Sequence, residues 1–501
     1  MTGGNNSSTL YRGGGVFAIK VNGSGTITDG EVDHSSPKAG YKSASTNGAL
    51  GGTYAVGSDN RGYLSFTVGS STTPVVFALA GGNLNSSAQF TELAITEMDD
   101  AGTDPGGQYG SGHCYKQDTT TAFTGTLPSG GYVFNLTGED SKGEPESVVG
   151  SVQFTAGSGS GTLTAVQDVV DGTTVTAAMS STGTVTTADS FGRLTMAAGN
   201  PTVVYLTNNT KGAIVIMGEQ AHNGSSNADF LIGEGRKQVA TVLTASYPLK
   251  GSGILYIEGT EDNSSSGLTY KALAYQFTGG SSAKTITLNS GIKNSSGTFS
   301  QDTEDVIGQT LTYTVDTTTG RVSITGDAGI HFYLYDTNSA AVLFADTSNS
   351  GASVENLTGW TEPQTAPTSG TWVVGGLAAS YFMYEIENGD YNNDSETSVL
   401  TLDGSGNLGN YASDDGGHNW ASWDEGLTGN SGTTETGTIV SDTTDGKYGL
   451  FDVNFTESKT TTTQSYCYAI SVDAATVSTA KGKLVCVDPS SDSPRLNVIQ
   501  E

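Results

Sequence analysis

The sequence predicts an all-β protein built of four tandem antiparallel modules. Each module is expected to be a roughly eight-stranded meander that closes as a barrel, with a β-sandwich as the alternative. Three observations carry this. A single phrase of Gly, Ser and alternating apolar residues occurs four times. Within it and elsewhere, apolar residues recur with a period of two, as in half-buried strands. Gly, Asp and Asn interrupt these runs at short intervals, as turns do.

The phrase reads GVFAIKVNGSGTITD at 15–29, SVQFTAGSGSGTLTA at 151–165, AYQFTGGSSAKTITL at 274–288 and SVLTLDGSGNLGNY at 398–411. In the second copy Val152 and Phe154 fall on one side, and Ser151, Gln153 and Thr155 on the side expected to face water. The Gly/Ser centre is a hairpin turn, where glycine tolerates positive φ.

Residues 131–238 set out one whole module. GYVFNLTG is a strand, and the phrase is the next hairpin. GTVTTADSFGRLTMAAG is another hairpin, with Asp189 and Gly192 at its turn. TVVYLTNNTKGAIVIMGE is a third, turning at Asn208–Lys211, and LIGEGRKQ closes the unit. The Asp/Gly hairpin recurs as GTYAVGSDNRGYLSFTV (52–68), LTYTVDTTTGRVSITG (311–326) and GTIVSDTTDGKYGLFDV (437–453). The closing strand recurs as GSGHCYKQ (110–117) and more faintly as RLNVIQE at the C-terminus. The spacing, about 125–130 residues, is a domain period. The modules are expected at 1–121, 122–243, 244–367 and 368–501, joined by DTTTAFTGTLPSG, VATVLTASYPLKG and TEPQTAPTSG. Closure as a barrel would remove exposed strand edges.

These strings resemble those of multi-repeat secreted or surface proteins of environmental bacteria, whose repeats are similar to lipocalin- and avidin-like barrels. The resemblance spans nearly the whole chain, most clearly in its first two copies. It rests on turn and strand residues, so it implies a barrel architecture and export, and no chemistry. Alignment of the first copy on the second sets Met1-Thr2-Gly3 over Leu136-Thr137-Gly138, so the first strand of module one is expected to be largely missing. Either residues, including a signal segment, lie upstream of Met1, or the module has an open groove. Strand addition by another chain into that groove would build a filament.

Composition bounds the partners. Lys and Arg total 21 against 51 Asp and Glu, a net charge of −30. Nucleic acid needs a basic footprint and anionic membranes attract one, so both are excluded as partners. No apolar run is long enough for a membrane-spanning helix. Few Lys and Cys with abundant Ser, Thr, Asn and Gly point to an extracellular or cell-surface protein. Of three cysteines, Cys467 and Cys486 lie in neighbouring apolar runs and are the disulfide candidates; Cys114 is expected as a lone thiol. NLT at 135–137 and 356–358, NNT and NFT are acceptor-like for glycosylation.

Catalytic patterns are lacking. The five histidines, His34, His113, His222, His331 and His418, have no metal-ligand spacing. The S-x-x-K matches SSPK and SSAK lie in non-helical stretches, and the Gly-rich loops lead into strands rather than helices. The protein is therefore read as no enzyme, with no cofactor except calcium as an alternative. In DYNNDSE, Asp390, Asn392, Asp394 and Glu396 alternate like the start of a calcium loop. Ser395 in place of glycine and Thr401 at the twelfth position exclude an EF-hand, leaving a solvated acidic turn or an irregular calcium site; MDDAGTD (98–104) is read likewise. In DDGGHNWASWDE, Trp420 and Trp423 with His418 and Asp424 suggest a sugar-stacking loop, or else tryptophans folded over a barrel end. The leading expectation is a non-catalytic structural or adhesive repeat protein that self-associates or binds neighbouring surface proteins. The alternative is a surface protein binding a glycan or small ligand at its barrel ends or the Trp420/Trp423 loop.

Overall fold

The structure, a computed structural model, describes residues 2–5, 12–35, 42–44, 50–69, 74–82, 90–98, 108–118, 123–140, 143–157, 159–197, 201–207, 214–221, 228–263, 267–302, 307–345, 353–365, 367, 372–386, 394–417, 420–423, 435–457, 461–471, 482–489 and 496–500. It is almost wholly β, with four antiparallel sheets at 2–115, 130–237, 251–363 and 379–500.

Module two shows the plan. Its strands are Gly130–Glu139, Pro145–Ala156, Ser160–Asp171, Thr174–Thr186, Arg193–Ala197, Pro201–Leu206, Ile214–Ala221 and Ala228–Lys237. Each pairs with the next, and the first also pairs with the eighth from Tyr132↔Lys237 to Glu139↔Phe230. The meander thereby returns to its own start and forms a barrel. The same pairings recur in the other modules. The first strand of module one, Thr2–Asn5, is four residues long against ten in module two, and it pairs with both the second and the eighth strand. Elsewhere the fourth strand splits: Lys42–Ala44, Thr298–Gln301 and Trp420–Trp423 each fold back on the far end of a third strand.

Turn chemistry explains the hairpins. Gly192 has φ +79, and the Asp189 carboxylate accepts the amides of Phe191 (2.9 Å) and Arg193 (3.0 Å). Gly320 repeats the left-handed conformation at φ +79. The linkers depart slightly from expectation. Ala240–Leu243 forms a single helical turn, and Thr361–Pro363 belongs to the eighth strand of module three.

Burial shows what alternation alone did not. Val152 and Phe154 face the barrel core and Gln153 and Thr155 face solvent, but Ser151, expected in water, is 7% exposed. The outer face there is covered by the next module. Val16 and Ala18 of module one pack on Val203, Tyr205 and Phe230 of module two. Val133 and Val149 meet Tyr333 and Ala341 of module three, and Ala272 and Ala274 meet Tyr468 and Val485 of module four. Module four then reaches module one, where Phe382 and Val399 pack on Ala80 and Ala94. In every case early strands of one module lie on late strands of the next. A heterologous contact repeated four times has closed into a ring within one chain.

Polar groups fix the junctions. The Asp33 carboxylate of module one accepts Nε (2.7 Å) and Nη2 (2.9 Å) of Arg193 and the Tyr205 hydroxyl (2.5 Å) of module two. Asp168 repeats this with Arg321 Nε (2.8 Å), Arg321 Nη2 (2.9 Å) and Tyr333 (2.8 Å). At the third junction Ser290 meets the Tyr468 hydroxyl at 2.5 Å. The glutamine after each closing strand donates Nε2 to two carbonyls of the next module: Gln117 to Phe191 and Leu206, Gln238 to Thr319 and Leu334, Gln364 to Tyr448 and Ala469.

Candidate functional site

The inward residues of module three enclose a cavity of about 270 Å³. Because strand side chains alternate, every second residue of each strand faces it. Leu255 and Ile257 come from the first strand, Leu273, Tyr275 and Phe277 from the second, Ile286 and Leu288 from the third, and Phe332 from the sixth. Leu249, just before the first strand, lines its base. Glycine makes room locally: a Cβ on Gly291 would lie 2.4 Å from the Tyr275 ring.

Among the described residues, the other modules bring aromatic side chains into the equivalent space. In module one Phe17, Phe66 and Phe77 cluster with centroids 5.3–5.7 Å apart. In module two Tyr132 meets Phe154 edge-on at 5.7 Å. Module four packs Trp372 and Tyr381 with the Cys467–Cys486 disulfide (S–S 2.06 Å), which joins its sixth and seventh strands. Module three surrounds the same centre with leucine and isoleucine together with Tyr275, Phe277, Phe332 and Phe344, and a cavity remains between them.

One end of the cavity is polar. Lys293, Asp327 and Glu355 line it there, near the turns joining strands five to six and seven to eight. Behind Glu355, Lys271 is 6% exposed and is held by Glu261 (2.7 Å) and Glu355 itself. Burial alone would lower the Lys271 pKa, but the two carboxylates outweigh it and hold the ammonium above its ordinary value. The arrangement is an apolar chamber with a charged rim. Its described lining residues include no serine, cysteine or histidine.

The residues picked out by sequence lie elsewhere. Trp420 and Trp423 form a short strand on the third strand of module four, with Trp420↔Gly417 and Trp423↔Asp414. Asp394 and Glu396 lie on the neighbouring strand, opposite Gly417 and Asp415. The backbone thus brings both expected sites to one end of module four. His418, Asp424, Asp390 and Asn392 lie outside the described residues. Cys114 is a free, half-buried thiol whose pKa burial pushes up to about 12. Among the described residues, Asp140, Glu144 and Asp171 bring carboxylate oxygens within 4.8 Å of one another at a hairpin end of module two, as exposed acidic turns commonly do without an ion. The cavity was missed from sequence because alternation marks the inward positions and not the space left between their side chains.

No family model matches the chain, and no curated protein does. Among solved structures, a crystal structure of kievitone hydratase from Nectria haematococca aligns over 76% of this chain and 92% of that chain at 8% identity, with a TM-score of 0.16. A score that low carries no argument about fold or activity.

Proposed function

We propose that the chain is a non-catalytic binding protein of the cell exterior that holds a small amphipathic molecule in the barrel of module three. The observation that carries this is the apolar cavity of about 270 Å³ with Lys293, Asp327 and Glu355 at its rim. A cavity of about 150 Å³ accepts benzene, so this one suits a ligand of about ten heavy atoms with one polar end. The Cys467–Cys486 disulfide supports an oxidising compartment, and the resemblance to secreted repeat proteins agrees with it.

The test is titration of medium-chain alcohols and small aromatic alcohols by calorimetry, with Leu273→Trp to fill the chamber. Saturable binding lost by at least tenfold in the variant supports the reading. Equal binding by both proteins, or none by the native chain, overturns it.

A structural role at the surface is the second reading, favoured by four barrels of one plan packed against one another in a single body. It predicts ordered assemblies in electron micrographs of purified protein; isolated single particles at all concentrations count against it.

A further inference from the structure

We propose that two of the module junctions are proton latches: carboxyl pairs face each other across them, Glu31 with Asp189 and Asp302 with Asp445, and each pair holds its junction closed while it shares a proton and loosens it when that proton leaves. The first pair spans modules one and two, the second modules three and four. Both bring an acid from the third strand, or just beyond it, onto the turn between strands four and five of the next module.

The surroundings of each pair show why a proton is needed. Glu31 is 2% exposed and its Oε2 lacks a hydrogen-bond partner. It faces Asp189, Arg193 and Tyr205 of module two and Asp33 of its own module. Arg193 is the cation among these groups, and Asp33 takes both its Nε and Nη2. Three carboxyls thus surround one guanidinium already committed to one of them. The Asp189 Oδ1 is occupied by two backbone amides, so Glu31 is the natural carrier of the shared proton.

Among the described residues, the groups acting most strongly on the second latch include no cation. Asp302 follows Gln301, whose Nε2 reaches both Asp442 and Asp445, so the Asp302 carboxyl lies beside these two acids, and the Tyr468 hydroxyl lies in the same field. Gln301 Nε2 donates to Asp445 (3.2 Å) and the Gly291 amide donates to Asp302 Oδ1 (2.7 Å). These neutral donors do not cancel two charges.

The pKa directions agree with the geometry. Burial, then Asp189, push Glu31 up to about 8, and burial, then Asp445, push Asp302 up to about 7. An acid whose folded pKa is raised gives its full stabilisation below its ordinary value, 4.5 for Glu31 and 3.8 for Asp302. That stabilisation falls as pH rises, and it is gone above the folded value. The latches therefore open between mildly acidic and mildly alkaline pH.

The junction between modules two and three is a built-in control. Val166 stands two residues before Asp168, as Glu31 stands two before Asp33. Asp168 there is one carboxylate on the Arg321 guanidinium, with the Tyr333 hydroxyl and the His331 imidazole beside it and Asp327 acting on His331. Burial lowers the pKa of His331 from its ordinary value, which disfavours its charged form beside Arg321.

The experiment is amide exchange on the intact chain at pH 5 and pH 9, expressed as protection factors so that the intrinsic pH dependence of exchange cancels. Glu31→Gln and Asp302→Asn are each measured beside the native protein. Protection at Tyr205 and Phe230, and at Tyr468 and Val485, is expected to fall at least tenfold between the two pH values. Protection at Tyr333 and Ala341 is expected to hold. Each variant should abolish the fall at its own junction only. An equal fall at all three junctions, or one that survives both substitutions, overturns the proposal. The native comparison stands even if a variant fails to fold.

Discussion

Asp168 shows how much one side chain contributes to the architecture. It has no exposed surface, and it sits at a register shift between Gln167 and Val169 that turns it toward module three. The Ala178 amide (2.7 Å) and Tyr333 complete a shell that Arg321 closes. Removing the acid alone leaves Arg321 largely buried and unpaired, so Asp168→Ser should cost about 3 kcal/mol in chemical denaturation. The chain itself supplies the compensated version. At the third junction Ser290 meets the Tyr468 hydroxyl as Asp168 meets that of Tyr333, and Leu450 stands opposite Tyr468 where Arg321 stands opposite Tyr333. The double variant Asp168→Ser/Arg321→Leu should therefore recover most of the loss. A double-mutant cycle with no coupling would show that the ion pair does not act as a unit.

At the scale of strands and linkers, the closing glutamine is the device to test. Gln238 is 8% exposed, and its Nε2 serves the carbonyls of Thr319 (3.0 Å) and Leu334 (2.6 Å) while the Val239 amide donates to Tyr335 (2.7 Å). Gln238→Leu strands two acceptors at about 1–3 kcal/mol. Gln238→Glu should be worse, because a carboxylate would face two carbonyls with nothing to donate. Thermal melts check the order, which fails if Glu is the milder change. The glutamine was legible as part of a closing string ending in Lys-Gln, but its role was not, since a sequence does not show which carbonyls approach. The same holds elsewhere. Hairpins and alternation were legible from Asp189, Gly192, Val152 and Phe154, because turn sterics and strand periodicity are local. The outer faces were not: Val149 and Ala272 are apolar residues in apolar runs, and core and junction share that composition. The candidate cavity was least legible, since Leu255 and Phe66 both satisfy an inward position and differ only in the space they leave.

For the whole molecule the decisive feature is the seam between modules four and one. Every other junction has an early-strand polar group meeting a tyrosine. In module one the register pairs Arg61 with Ala80 where its counterparts pair Arg193 with Tyr205 and Arg321 with Tyr333. Arg61 is held within its own turn by Asp59 at 2.9 Å. The seam relies on Phe382, Val399, Ala80 and Ala94, with Gln500 donating to Glu92 at 2.6 Å. It is also the junction that no linker spans, so separation there is not opposed by chain connectivity. The ring should open at this point first. Phe382→Glu buries a charge in the apolar seam, whereas Phe382→Leu keeps it apolar. Small-angle scattering of the native chain should give a radius of gyration near that of a compact 501-residue body, about 23 Å. Phe382→Glu should raise it clearly while each barrel keeps its strand content by circular dichroism, and Phe382→Leu should not. A native chain as extended as four modules in a row, or a Glu variant with unchanged scattering, would show that the modules do not close through this seam.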